Sequence, residues 1–316
     1  MKALCSDTGV AGLAIRDLPL PEPGQGEVRV DVHTSAVNPA DLKVLDGELL
    51  GNILHGKARP LVVGWDVSGV VSAVGAGADY AVGDAVFGFL SYARSTKRGA
   101  YAESVVVPAA NLVRRPAHLS DAHAAALATA GVTALQAMRD VGGLTKGQRV
   151  LIIGASGGVG ALAVGIAVRL GAEVTAVCSA SAAELVRGLG ATRTVERGQL
   201  DALQGTRFHV IFDAAAAHSW MALRGMLEPG GAYVTTIPGP AVYLVMPLAW
   251  ATGTRSGAVI IAARRADLEL LAGWAGDGLP IPIDSTFPVR DVRAAIERMA
   301  KGGMRGRVVV QVEGGF

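Results

Sequence analysis

The chain has 316 residues, 51% of them hydrophobic and 18% charged, which is ample apolar material for packed cores and too little charge for long disordered tracts. Lysine and arginine total 29 against 27 acids, a formal charge of +2, so no broad basic field marks out a nucleic-acid partner. No uninterrupted apolar run reaches the ~18 residues a membrane span needs, and residues 1–7 lack a secretory signal pattern, so the expected address is the cytoplasm.

Single cores stop growing at roughly 250–300 residues, so two domains are expected. Only Cys5 and Cys178 are present, too few for a four-thiolate zinc site and consistent with a reducing compartment. The six histidines are scattered without an HExxH pair, and no metal is expected.

The first third reads as β-rich. Residues 27–33 (EVRVDVH) alternate valine with polar side chains, the period of a half-buried strand. Between Gly64 and Gly88, β-branched runs are separated by glycine turns, which fits short barrel-like strands. From about Asp121 the texture changes to alanine-rich helical stretches alternating with short apolar strands at 150–154, 174–178, 210–214 and 233–237. That alternation predicts a parallel sheet covered on both faces. A helix over 291–300 and a strand over 307–312 follow, and this tail is expected to pack back on the first domain.

The sharpest local motif is VLIIGASGGVG at 150–160, an apolar strand entering a glycine turn and leaving as a helix. Glycine lets the backbone turn and a pyrophosphate approach closely, while free N–H groups at the helix start bind anionic oxygens. Gly154, Ser156, Gly157, Gly158, Val159 and Gly160 are therefore candidate cofactor contacts. The next strand ends at Cys178 and is followed by Ser179 and Ser181 with no acid. An acid there would select NAD through the ribose hydroxyls, so two serines favour NADP(H), though no adjacent cation supplies a countercharge. The competing reading makes these serines caps of the helix at Ala182.

Further text completes a pattern: VNPADLKVLDG at 37–47, VVGWDVSGVVSAVGAGADYAVGDAVFG at 62–88, GAYAESVVVPAANL at 99–112, AAALATAGVTALQAM at 124–138, and PIDSTFPVRDVRAAIERMAKGGMRGRVVVQV at 282–312. In order and over nearly the whole chain, these segments resemble the zinc-independent quinone oxidoreductase (zeta-crystallin-like) branch of the medium-chain dehydrogenases/reductases. The resemblance implies an α/β protein with a GroES-like β domain from residues 1–118 and 264–316. Residues 119–263 would be a Rossmann doubly wound parallel-sheet domain, NADP(H) would lie in the cleft, and edge strands would build a homodimer. Zinc-dependent members of the wider family place Gly-His-Glu where this chain has Gly64-Trp65-Asp66. Without a Lewis acid, a conjugated carbonyl is a better substrate than a simple alcohol.

The same resemblance nominates further residues, each with a plainer alternative. Asn38 and Asp41 would line the cleft near the nicotinamide, with Asn38 donating to a substrate oxygen; alternatively they form a turn and a helix cap. Lys43 stands where several relatives carry tyrosine, and a second family tyrosine is replaced by Leu49; Lys43 would steady a developing enolate or deliver a proton through water, or else be solvated. Tyr92 would border the substrate channel or simply pack its loop. Thr133, in a GVTA turn, would approach the cofactor or cap a helix. Ile237 and Gly239 would pass the nicotinamide edge. Arg307 would lie near the cofactor, against the reading of an exposed strand end. The apolar stretch 240–253 lines the pocket or forms the dimer interface, and Arg264 and Arg265 read as solvated ends of a strand over 257–263.

The expected activity is NADPH-dependent reduction of a quinone or enone. An enoyl-thioester reductase of fatty-acid or polyketide assembly, and a non-redox NADP-binding cyclase or isomerase, are its competitors.

Overall fold

The computed structural model describes residues 1–47, 60–91 and 98–316. Strands β1 (Lys2–Cys5) and β2 (Ala14–Asp17) form an antiparallel ribbon. Next come β3 (Glu27–Ala36), β4 (Asp66–Val74), β5 (Ala85–Phe89), β6 (Ser104–Pro108) and β7 (Leu112–Arg114), joined in antiparallel ladders with β3 held between β4 and β6. The alternation in β3 is realised: Val28, Val30 and Val32 are buried while Arg29, Asp31 and His33 face outward.

Helix α1 (Pro39–Leu45) follows β3. The alanine-rich segment becomes α2 (Asp121–Gln136), buried on almost every side, as a helix without a polar face must be. It packs on β3, β4 and β5 and, across the molecule, on α3 (Gly158–Arg169). Its first turn is pinned by Asp121, which bonds Ser68 Oγ at 2.6 Å and pairs with His33 and Arg115. The expected GVTA turn does not form. Gly131 sits inside α2 because a Cβ there would come within 2.9 Å of Leu127 and 3.1 Å of Leu271, so packing, not chain reversal, requires the glycine.

The second sheet contains β8 (Arg149–Ile153), β9 (Glu173–Cys178), β10 (Arg193–Glu196), β11 (Phe208–Asp213), β12 (Leu227–Thr235) and β13 (Arg255–Ala258). Every pairing in it is parallel, and the spatial order is β10-β9-β8-β11-β12-β13. This is the doubly wound order of a Rossmann sheet, whose crevice opens where the winding reverses, here between β8 and β11. Helices α4 (Ala183–Gly188), α5 (Trp220–Leu223), α6 (Pro240–Leu244) and α7 (Met246–Ala251) join the later strands.

The strand expected over 257–263 stops at Ala258, and residues 259–263 leave the sheet to wall a cavity. Arg264 and Arg265 are not simply solvated: Arg264 pairs with Asp140 at 2.6 Å, and Arg265 donates to Tyr80 Oη at 3.0 Å while covering its ring. Helix α8 (Arg265–Gly276) buries Leu268 and Leu271 in the parallel-sheet core. Then β14 (Ile283–Pro288), helix α9 (Val292–Ala300) and β15 (Arg307–Gln311) return to the first sheet, where β15 pairs parallel with β14 and antiparallel with β3. Among the described residues no helix is long and apolar enough to cross a membrane.

At the β3–β4 crossing a Cβ on Gly69 would lie 2.0 Å from the Asp31 carbonyl oxygen. Gly69→Ala is therefore expected to destabilise the protein by roughly 1–3 kcal/mol through forced strand separation, read as a lower midpoint in urea.

Candidate active site

The glycine turn is built on β8. Gly154 adopts φ +77°, and a Cβ there would come within 2.8 Å of Ala215 Cβ; on Gly160 it would come within 2.1 Å of Gly154 O. Bare backbone is thus obligatory at both positions. The N–H groups of Gly154 and Ala155 go to Val177 O, and that of Gly157 to Gly154 O. Gly157 caps α3 without a side-chain bond, so Gly158, Val159 and Gly160 form a first turn whose N–H groups have no intrahelical partner. Those three amides are free to bind an anion, whereas the N–H groups of Gly154, Ala155 and Gly157 are already engaged.

They border a cavity of about 200 Å³ that Ser156, Gly157, Arg197 and Arg307 also line. Pro39, Val159, Ala214 and Ala215 are shared with a second cavity of about 510 Å³, so the two are one cleft at the reversal of the sheet. The larger chamber is mostly apolar, walled by Phe89, Val259, Ile260 and Ile261, with Asn38, Lys43, Ser91, Thr129, Thr133 and Thr236 as polar members.

Arg307 is not an exposed strand end. It is 3% accessible, lies against Gly158, and pairs with the fully buried Asp66 at 2.8 Å. Asp66 also receives Asn38 Nδ2 at 2.8 Å and the Thr129 N–H at 2.7 Å. A buried ion pair survives desolvation only when its remaining lone pairs are satisfied, and here donors from the end of β3, from β15 and from α2 converge on one carboxylate. Asn38 Nδ2 also donates to Ala36 O, while its Oδ1 accepts from Arg307. Both Asn38 side-chain N–H groups are engaged, so the expected donation to a substrate oxygen is not available from this side chain.

Asn38 does line the chamber, as expected, but Asp41 does not. It is fully buried and caps α1, accepting from the N–H groups of Asn38 and Gly64 at 2.7 and 3.0 Å and from Tyr101 Oη at 3.1 Å. Burial pushes its carboxyl up to about 7, against the pull of those three donors. Lys43, on the opposite face of α1, does line the chamber. Thr133 lies there within α2, its hydroxyl donating to Thr129 O at 2.7 Å, which makes it an acceptor towards the cavity and not a cap. Ile237 is in the chamber wall. Gly239 is not, and its N–H is engaged by Ile237 O at 2.9 Å. Tyr92 lies outside the described residues. Ser179 and Ser181 stand together at the tip of β9, 3.2 Å apart, without capping the next helix.

Two residues are not apparent from the sequence pattern. Asp66 is visible there only as a departure from a zinc motif. Gln136, buried at the end of α2, mimics a strand neighbour: its Nε2 donates to Ala262 O and Asp267 Oδ2, both at 2.8 Å, and its Oε1 accepts the Ala262 N–H at 2.9 Å. It thereby holds the 259–263 wall. The available signal is a glutamine inside an alanine-rich buried helix, which must find partners.

Residues 24–117 match the alcohol dehydrogenase GroES-like domain family, and residues 189–310 a family described as zinc-binding dehydrogenase. A mitochondrial NAD(P)H oxidoreductase of Mus musculus is 32% identical, covering 90% of this chain and 82% of its own. The chloroplast envelope quinone oxidoreductase homolog of Arabidopsis thaliana is 30% identical over 96% and 95% of the two chains. The chain belongs to the medium-chain dehydrogenase/reductase superfamily, a family of oxidoreductases. The quinone oxidoreductase structure from Coxiella burnetii superposes with a TM-score of 0.89 at 27% identity, covering 99% of both chains.

The second family's description raises a metal, and the donors present do not fit one. Trp65 and Asp66 replace the His-Glu pair, Asp66 is committed to Arg307, and among the described residues no three His, Cys, Asp or Glu side chains converge. A nicotinamide dinucleotide does fit. Besides the three amides, Arg307 Nε is buried with no partner among the described residues, and a Cβ on Gly158 would press to 3.1 Å from Arg307 Cδ.

The folded-state carboxyl of Asp41 is raised above its unfolded value near 4, so the native state holds the extra proton between about pH 4 and 7. The stability this adds is complete below pH 4 and lost as pH rises towards 7. The unfolding free energy of wild type relative to that of Asp41→Asn is therefore expected to fall from pH 5 to pH 7.5, as measured by urea titration at each pH.

Proposed function

We propose that the protein is an NADPH-dependent, zinc-independent reductase of quinones or α,β-unsaturated carbonyl compounds. The observation that carries this reading is the continuous cleft, with three helix-start amides and Arg307 at one end and a largely apolar chamber at the other. When bound, the reduced nicotinamide supplies a hydride. The amides of Gly158, Val159 and Gly160 would hold the diphosphate, Arg307 would face it, and the residues 214–216 and 236–238 would bound the ring beside the chamber. Phe89 and the 259–263 wall would shield the reacting carbon on their side from water, which strengthens polar contacts made there. No described chamber side chain except Lys43 is ionisable, so solvent is the proton source by default.

The NADPH preference rests on the β9 tip. Ser179 and Ser181 replace the acid, and the missing countercharge comes from far along the chain: Arg305 Nη2 donates to Ser181 O at 2.6 Å, and Arg197, whose N–H bonds Cys178 O, lines the smaller cavity. A second copy of the chain is the proposed partner. Strand β13 leaves one edge of the parallel sheet open, an invitation to symmetric pairing. Beside it α6 and α7 expose Leu244 and Trp250 at 79% and 81%. The apolar stretch 240–253 thus belongs mainly to that outer face and not to the chamber wall.

Gly157 has room for a side chain, since a Cβ there would lie 3.4 Å from its nearest neighbour, Gly154 O. Gly157→Asp is expected to remain folded yet lose NADPH binding, because a carboxylate would face the diphosphate; an unchanged fluorescence titration would refute the loop assignment. Arg305→Ala should raise the Kd for NADPH by about tenfold while leaving NADH nearly unaffected. Trp250→Asp is expected to shift a dimer to a monomer in light scattering, and a wild-type monomer would dispose of the dimer.

A further inference from the structure

The chamber is uneven in charge. Among its described lining residues there is one cation, Lys43, and no carboxylate. Helix α1 explains how the amine is placed: Asp41, Val44 and Leu45 are buried beneath it, while Pro39, Ala40 and Lys43, related by three and four residues, share the cavity face. Of the two acids on this helix and its cap, Asp41 is turned away into the Asn38, Gly64 and Tyr101 donors, and the exposed Asp46 makes no ion pair with Lys43 among the described residues. Among the described residues Lys43 Nζ has no hydrogen-bond or ion-pair partner, and the remaining walls offer hydroxyls, hydrocarbon and an Asn38 amide already bonded to Ala36, Asp66 and Arg307.

A neutral quinone would leave this ammonium uncompensated beside apolar surface, which is unfavourable. An anion on the substrate would meet it with a charge-assisted hydrogen bond. Resting on the reductase reading above, we propose that the preferred substrate is a small conjugated carbonyl compound bearing a carboxylate, and that Lys43 is the residue that selects it. A chamber of about 510 Å³ accommodates such a molecule beside a nicotinamide ring. The conjugated carbon–carbon double bond gains a hydride from the reduced dinucleotide at one carbon and a solvent proton at the other. The substrate is reduced by two electrons, the dinucleotide is oxidised by two, and the carboxylate is unchanged.

The test compares acetylacrylate with its methyl ester as substrates for wild type, Lys43→Gln and Lys43→Arg. The acid-to-ester ratio of kcat/KM should fall by about tenfold or more in Lys43→Gln and be largely kept in Lys43→Arg. A ratio that does not move, with both substrates slowed alike, would overturn the proposal and leave Lys43 with a proton-delivery role. A second measurement needs no turnover: binding of laevulinate, the saturated analogue, to the NADP⁺-loaded protein by calorimetry. Weaker binding in Lys43→Gln supports the carboxylate site even if no substrate is reduced, an outcome that would sink the reductase reading alone; equal binding in both proteins rejects the site.

Discussion

The ion pair of Asp66 with Arg307 is the constraint on which the rest of the site depends. Neither residue is solvated, so each charge is tolerable only because of the other and of the Asn38 and Thr129 donors around them. Truncating one partner of such a pair typically costs ~3–5 kcal/mol, because a bare buried charge remains. The pair links β4 to β15, the end of β3 to α2, and through Gly158 reaches the start of α3. First sheet, returning tail and the long buried helix α2 therefore meet at one carboxylate, and Arg307 carries the contact on to α3.

Around that knot the cleft divides its labour by polarity. Its narrow end is polar: helix-start amides, shaped by Gly154 and Gly160 where no side chain fits, beside Arg197 and Arg307. Its wide end is mostly hydrocarbon, given shape by Gln136, which completes the hydrogen bonding of residue 262 where the β13 ladder has stopped. Electrostatic contacts made in such surroundings are less screened than at the surface, which is why a single lysine at the wall carries weight in choosing a ligand.

Much of this is legible from local pattern. The valine alternation in β3, the glycine turn and the apolar strands expected at 150–154, 174–178 and 210–214 depend on neighbours within a few residues, and those strands form within two residues of these bounds, at 149–153, 173–178 and 208–213. The four-residue strands β10 and β13 are too short to show a period. GVTA looks like a turn because glycine commonly breaks helices, and only the three-dimensional proximity of Leu271 reveals its packing role. The polar residues are hardest to read. Asn38 and Asp41 are correctly grouped by the sequence, yet their bonds run inward to Asp66, Gly64 and Tyr101. Arg307 lies 241 positions from its acid, and no local signal announces a partner so remote. Likewise the cations near the β9 tip, Arg197 and Arg305, come from separate parts of the chain.

Because β15 is the last strand of the described fold and threads beside β3, one of the first, ribosomal synthesis delivers the two sides of that pairing far apart in time. The parallel sheet is complete in sequence by residue 258 and can condense while the remainder is still being made. Asp66, by contrast, must wait for Arg307 to emerge. A nascent chain would thus leave the cleft without its Arg307 wall until β15 has been made, so this side of the cleft is the last described part of the fold to close.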